Sequence, residues 1–138
     1  MNLEVFSLCD IAAIDKAGKL SVIGAFDTIW ADTVPISYPQ CAVALRIRFE
    51  GLERGEHKVV VNFVDIDGHH IVQPASGTIS INFPDDQRSA SANLVLNLQM
   101  LKLGSYGEYS IDLLIDEQNA GSLPLFVKPI AQLQKAKE

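Results

Sequence analysis

The stretch VDIDGHHIVQP, residues 64–74, holds the residue types of this chain that come nearest to chemistry. It contains Asp65, Asp67, His69 and His70. Carboxylates and imidazoles in such proximity serve as metal ligands and as acid–base catalysts. A calcium loop does not fit, because the glycine comes fourth when counted from Asp65, where the motif needs it sixth, and Ser76 stands where the bidentate Glu belongs.

The same stretch carries a strong turn signal. Asp67-Gly68 lies between two apolar runs, which is typical of a two-residue hairpin turn. That turn predicts that Asp65 pairs with His70 and Val64 with Ile71. His69 and His70 are consecutive, so on a strand they would point to opposite faces. We therefore interpret the stretch as a hairpin bend, with no catalytic residue and no metal site.

A second candidate site is built from two acids and the single tryptophan. Asp10 and Asp27 each interrupt an otherwise apolar segment, and Trp30 follows in FDTIWAD. Backbone donors or hydroxyls could satisfy the two acids at strand ends. The alternative is a pocket formed by Asp10, Asp27 and Trp30, which would serve a small-ligand or carbohydrate-binding protein or an enzyme with a loop-built site.

Nucleophilic chemistry has little support in the chain. Cys9 and Cys41 both lie in apolar strand patterns and outside any C-x-x-C context, so we expect two buried free thiols. There is no G-x-S-x-G elbow, and no glycine-rich loop precedes a helix. We predict a protein that is not an enzyme and has no cofactor.

Net charge and hydropathy restrict the classes of partner that the protein is expected to bind. The formal net charge of −6 disfavours nucleic acid, because phosphate backbones are bound by clustered basic faces. The N-terminal segment has no basic leader, and Glu4 interrupts its apolar run, unlike a signal peptide. No stretch reaches the ~20 apolar residues of a membrane span. We expect a cytoplasmic protein with no membrane partner.

Alternation of period two runs through four segments, each with one apolar and one more polar face. The residues predicted to face the core are Cys41, Val43, Leu45, Ile47 and Phe49, then Ile79, Ile81 and Phe83, then Leu94, Leu96, Leu98 and Met100, and finally Tyr109, Ile111, Leu113 and Ile115. Further β-rich segments are expected at 3–14, 20–30, 57–66, 69–73 and 121–128.

About eight strands with almost no helical periodicity predict an all-β, antiparallel two-sheet sandwich, immunoglobulin-like or of a related Greek-key type. One domain would cover 1–128, with a tail or short helix over 129–138. Tyr109, with Tyr106 as the alternative, is expected to form a tyrosine corner. Pro124 is expected at a sheet edge, where its missing N–H does no harm.

One face of the predicted hairpin 57–73 suggests an interface. Its outward side would carry four β-branched residues, an unusually apolar patch for solvent. These residues are Val60, Val64, Ile66 and Ile71. The alternatives are an inverted face assignment or a covering C-terminal segment. We therefore hypothesise a non-catalytic interaction module that binds itself, as a homodimer, or another protein.

The chain also resembles a known group of proteins. It contains GKL and GAFD in the opening hairpin, N-L-x-x-L in NLQML at 97–101, G-x-Y, and a closing L-P-L-x-V strand. This pattern is similar to that of a family of small uncharacterised bacterial proteins, over about residues 3–128. The resemblance implies a β-sandwich from a bacterial source with no established activity, and it supplies no functional residues.

Overall fold

The structure, a computed structural model, describes residues 1–136. This part of the chain forms nine strands, one 3₁₀ turn and one short helix. The strands are β1 (Asn2–Ile14), β2 (Leu20–Ala25), β3 (Thr28–Ala31), β4 (Ile36–Glu50), β5 (Gly55–Asp65), β6 (Ala75–Ile81), β7 (Ser89–Leu103), β8 (Gly107–Ile115) and β9 (Gln118–Pro129). The 3₁₀ turn spans Gly51–Glu53, and helix α1 spans Ile130–Ala136.

The strands form two sheets, which confirms the predicted all-β sandwich and its short C-terminal helix. One sheet has the order β2-β1-β4-β7, and the other has the order β3-β9-β8-β5-β6. All strand pairs are antiparallel except β3 with β9, which is parallel. The core lies between the two sheets and is built from the predicted inward rows of β4, β6 and β8, almost all of which are buried.

The expected strand over 20–30 is in fact two strands in different sheets. β2 belongs to the four-stranded sheet and β3 to the five-stranded sheet, so the chain crosses between the sheets at residues 26–27. Gly24 precedes the crossing with φ +70, and a Cβ there would come within 2.5 Å of Asp10 Oδ2. A glycine is needed at this position because only glycine combines that backbone conformation with so close an approach.

The predicted pairing after β5 is wrong by one residue. Val64 pairs with His70 instead of Ile71, and Asp65 N donates to His69 O, so the loop has three residues with Gly68 at φ +84. A one-residue shift turns every following side chain to the opposite face. Ile71 therefore packs against the core and is not part of an outer patch. Residues 72–74 form a connection to β6, which is the strand that pairs with β5.

The predicted tyrosine corner is present, whereas Pro124 does not lie in an edge strand. Tyr109 is 5% exposed and its hydroxyl donates to Ser105 O at 2.8 Å, which is the contact of a tyrosine corner. Pro124 lies in β9, which has neighbours on both sides, but β3 pairs only with residues 126–129. Pro124 is therefore at a local edge, where its missing N–H breaks no ladder bond.

The distal half of the β1–β2 hairpin folds over the outer face of the four-stranded sheet. Its turn reaches β7, two strands away in the sheet order, where Asn93 Nδ2 donates to Gly18 O at 2.7 Å. Ala12 and Leu20 of the hairpin pack against a second small cluster on β1 and β4. That cluster consists of Cys9, Ala42 and Ala44, each at most 1% exposed. The hairpin thus forms a third layer over one half of the sandwich.

Candidate functional site

The outward side of the β1–β2 hairpin is the most apolar exposed surface near an edge strand. Ile11 pairs directly with Ile23, and their side chains are 52% and 60% exposed. Ala13 pairs with Ser21 on the same side, and both are exposed. We call Ile11, Ala13, Ser21 and Ile23 the hairpin face. β2 is an edge strand with no charged residue, so nothing in its own sequence blocks a partner.

The hairpin is held rigidly at its turn. Asp15 Oδ1 accepts hydrogen bonds from Ala17 N at 2.8 Å and Lys19 N at 2.9 Å, and Gly18 N donates to Asp15 O. Together with the Asn93–Gly18 bond, these contacts fix the turn on both sides. A surface held in one conformation loses little entropy on binding.

Sequence reasoning missed the hairpin face, although a signal was present. The segments 9–14 and 20–25 carry apolar residues at both odd and even positions, which is typical of strands apolar on both faces. The regular alternation in the segments of β4, β6, β7 and β8 is a stronger signal than the pattern of this hairpin. In the structure, one side of the hairpin packs on the small cluster and the other side remains exposed.

The four residues predicted as an interface do not form one surface. Val60 and Val64 are half-buried on the outer side of the five-stranded sheet, opposite Leu114 and Ser110 of β8. Ile66 is 76% exposed in the turn after β5, whereas Ile71 packs against the core.

The neighbouring rows of this outer side are polar. Asp112 Oδ1 accepts hydrogen bonds from Ser110 at 2.6 Å and Ser122 at 2.7 Å.

The structure places Asp10, Asp27 and Trp30 in three different settings. Asp10 is exposed on β1 and accepts a hydrogen bond of 3.3 Å from the Tyr38 hydroxyl. Asp27 is exposed in the crossing between the sheets and accepts from Thr28 Oγ1 at 2.8 Å. Trp30 lies on β3, where the Lys128 ammonium is 5.8 Å from its ring centroid.

Asp27 lines a cavity. This open cleft of about 420 Å³ lies between β1, the β2–β3 crossing and β9. Its lining residues are Phe6, Ser7, Leu8, Ala25, Phe26, Asp27, Leu123 and Pro124. Two of the eight are polar, so the cleft offers one carboxylate and one hydroxyl to a ligand.

The Asp-His stretch forms a compact cluster at the turn after β5. One ligand atom from each of Asp65, Asp67 and His69 lies within 4.8 Å of the others. His69, and not His70, pairs with Asp65, with 3.5 Å between Nδ1 and Oδ2. Hydrogen bonds from the backbone N–H groups of His69 and Asp67 hold the pKa of Asp65 below its usual value. These hydrogen bonds explain the cluster as part of a turn. A metal ion is not needed to explain it, because exposed acidic groups are common without one.

His57 forms short contacts through both of its ring nitrogens. Its Nδ1 lies 2.6 Å from Asp116 Oδ2, its Nε2 lies 2.5 Å from Glu53 O, and its ring stacks on Phe49. Both ring nitrogens face acceptors, and only the imidazolium can donate from both. The hydrogen bond to Asp116 is the largest cause that raises the pKa of His57, and the same bond lowers the pKa of Asp116. With both nitrogens engaged, His57 works as a structural clamp.

The two cysteines are buried and free, as predicted. Burial raises the pKa of the Cys41 thiol to about 11 and also raises the pKa of Cys9. Thiols in this state are poor nucleophiles, because the reactive form is the thiolate.

Residues 1–136 form two mainly antiparallel sheets and a hairpin that covers one of them, and they contain no group of activated side chains. These features define a small β-sandwich protein. The chain belongs to a family of unknown function, DUF6941, which it matches over residues 4–128. This agrees with the resemblance to an uncharacterised family. A comparison with curated proteins gives no match.

Among solved structures, the chain is similar to the Pseudomonas fluorescens alkylpurine DNA glycosylase AlkC bound to DNA containing an abasic site analog. The TM-score is 0.41 at 11% identity, with 74% of this chain and 28% of the glycosylase covered. The chain thus spans under a third of that protein's length, and a likeness this weak carries no functional argument. Within residues 1–136, no helix is long and apolar enough to cross a membrane.

Proposed function

We propose that this protein is a non-catalytic interaction module that binds a protein surface through the hairpin face. The observation that carries this proposal is the two-sided apolar character of the β1–β2 hairpin. One side is used to cover Ala42 and Ala44 of the protein's own sheet, and the other side exposes Ile11 and Ile23 in direct cross-strand contact.

The surroundings of the hairpin face support protein binding. Apolar centres with a polar rim are typical of protein–protein interfaces. The turn beside this face supplies Asp15, Lys16 and Lys19, all exposed. The uncharged edge of β2 adds unpaired backbone groups that a partner strand can use.

The chemistry of the remaining groups supports the non-catalytic part of the proposal. His57 is engaged through both ring nitrogens, and the two thiols are buried with raised pKa values. The cleft beside Asp27 has a volume within the range of small-molecule sites, but it holds few polar groups to orient a ligand. Ligand binding there is therefore the less supported alternative.

Cross-linking in the cells that produce the protein tests the proposal. The full chain carries a photoreactive side chain next to the hairpin face, in place of Ala13, and is compared with Ile11→Lys/Ile23→Lys in the same background. We expect cross-links to a discrete polypeptide that the double variant reduces about tenfold or more, because two ammonium groups would have to be desolvated.

Ile66→Lys is the matched control, because Ile66 is 76% exposed but lies in a different turn. It should leave the cross-links unchanged. A double variant that cross-links as strongly as the wild type would contradict the proposal, as would a wild type that captures nothing. Cross-links to a second copy of the chain would identify self-association as the form that binding takes.

A further inference from the structure

One lateral side of the sandwich is open. It is bounded by β6, the last strand of the five-stranded sheet, and by β7, the last strand of the four-stranded sheet. A cleft of about 180 Å³ between them reaches core side chains, including Leu45, Val59, Val61, Ile79, Leu94 and Leu96. Leu94, Leu96 and Leu98 are only half-buried, although alternation points them toward the core. The core is therefore not closed on this side.

β7 presents a long unprotected edge. It is a 15-residue strand that pairs with β4 on one side, and no other strand of residues 1–136 pairs with its second edge. Native edges are normally guarded by charges, proline or bulges. Residues 89–99 contain none of these, and regular pairing is interrupted only at Met100, whose φ is 53.

We propose that two copies of this chain dimerise by antiparallel pairing of β7 with β7 across a two-fold axis on this open side. The two four-stranded sheets then join into one sheet of eight strands. The surface is separate from the hairpin face, so this inference does not depend on the proposed function.

Charge identifies a second copy as the partner. The chain has a net charge of −6, so most approaches of one copy to another are repulsive. The open side avoids this, because β6 has no charged residue and β7 has only Lys102 near its end. In an antiparallel pairing over residues 89–99, which is centred at Leu94, Lys102 lies far from its symmetry mate, and no residue of the paired segment is charged.

The size of the surface suits a dimer of this kind. A 15-residue strand is about 50 Å long and packed sheets lie about 10 Å apart, which gives a side of about 500 Å². Two copies would bury about 1,000 Å² in total, which is the lower bound for a specific interface. Pairing over residues 89–99 forms about ten main-chain hydrogen bonds, a normal number for an interface.

Light scattering over a range of concentrations on the full chain tests the dimer, with Asn97→Glu as the variant. Asn97 is exposed on β7, so the substitution leaves the core intact and places a charge inside the paired segment of each copy, where it guards the strand edge. We expect the wild type at twice the monomer mass and dimerisation about tenfold weaker in the variant, with partial recovery in high salt. Gln118→Glu, at an exposed polar position on β9 of the other sheet, should not change the dimer.

Amide hydrogen exchange gives a second measurement that does not depend on a variant. In the dimer, the N–H groups of residues 89–99 that point away from β4 become protected, and this protection rises with protein concentration. The proposal is overturned if the wild type stays monomeric, if Gln118→Glu weakens the dimer as much as Asn97→Glu does, or if residues 89–99 gain no protection.

Discussion

The two outer faces of the sandwich have opposite characters. On the four-stranded sheet, the small apolar side chains of Ala42 and Ala44 are fully covered by the β1–β2 hairpin. On the five-stranded sheet, the outer side is bare, and its polar row is linked by the hydrogen bonds of Asp112 to Ser110 and Ser122.

This contrast explains where the exposed apolar surface arises. An uncovered sheet face has to be polar enough for water, and the outer side of β8 and β9 meets this with Ser110, Asp112 and Ser122. A face of alanines instead needs a cover, and the cover must be apolar on its inner side. A hairpin of two strands that lies over a sheet has nothing packed on its other side, so Ile11 and Ile23 remain exposed.

The largest effect is expected when a charge is placed on the four-stranded sheet beneath the β1–β2 hairpin. We expect Ala42→Asp to lower the free energy of unfolding by about 3 kcal/mol or more, because Ala42 is 1% exposed and the carboxylate would be buried without a partner. Urea denaturation measures the change.

Thr78→Asp is the matched control on the five-stranded sheet, where Thr78 is exposed opposite Lys58. It should change the free energy of unfolding by less than about 0.5 kcal/mol. Equal effects of the two variants would mean that the hairpin does not cover the sheet in solution.

A smaller effect should distinguish the two sides of the hairpin itself. Leu20→Thr removes an apolar side chain that packs on the small cluster and should cost about 1–2 kcal/mol in the free energy of unfolding. Ile23→Thr alters the exposed side and should cost less than about 0.5 kcal/mol. Thermal and urea unfolding of both variants check this order, and a reversed order would show that the faces are assigned the wrong way round.

Much of the fold follows from local sequence pattern. β4 and β8 alternate strictly, and their predicted inward rows are buried. Tyr109 was placed correctly because its position at a strand entry fits a known local motif. Met100 is the exception, since its positive φ turns a predicted core side chain to 58% exposure.

The remaining features depend on geometry that pattern does not specify. The Asp67-Gly68 signal fits either a two-residue or a three-residue loop, and that choice alone decides whether Ile71 faces the core or solvent. The folded-over hairpin rests on a contact between Gly18 and Asn93, which are 75 residues apart in the chain. No local window contains such a contact, so the sequence indicates a hairpin that is apolar on both faces but not which of the two faces remains exposed.

The smallest expected effect is on the pH dependence of stability. It distinguishes the charged contact of His57 from the apolar packing of the β1–β2 hairpin. At the end of the sandwich, His57 joins Asp116, before β9, to Glu53 of the 3₁₀ turn. Because the pKa of His57 is raised in the folded protein, its stabilisation is fully present below pH 6.5, the ordinary pKa of the group, and is lost as the pH rises through the folded value. The pKa of Asp116 is lowered, so its stabilisation is lost only as the pH falls below 3.8 through its folded value.

We therefore expect the free energy of unfolding to decrease between pH 6 and pH 8, measured by urea denaturation, and expect His57→Gln to remove most of this decrease. The range stops at pH 8 because burial raises the pKa of both thiols above 9.0, and their ionisation in the unfolded chain adds a second decrease at higher pH. Leu20→Thr should lower the free energy of unfolding by the same amount at pH 6 and at pH 8, because the packing of the β1–β2 hairpin involves no titrating group. If His57→Gln left the pH dependence intact, the imidazolium clamp would not exist in solution.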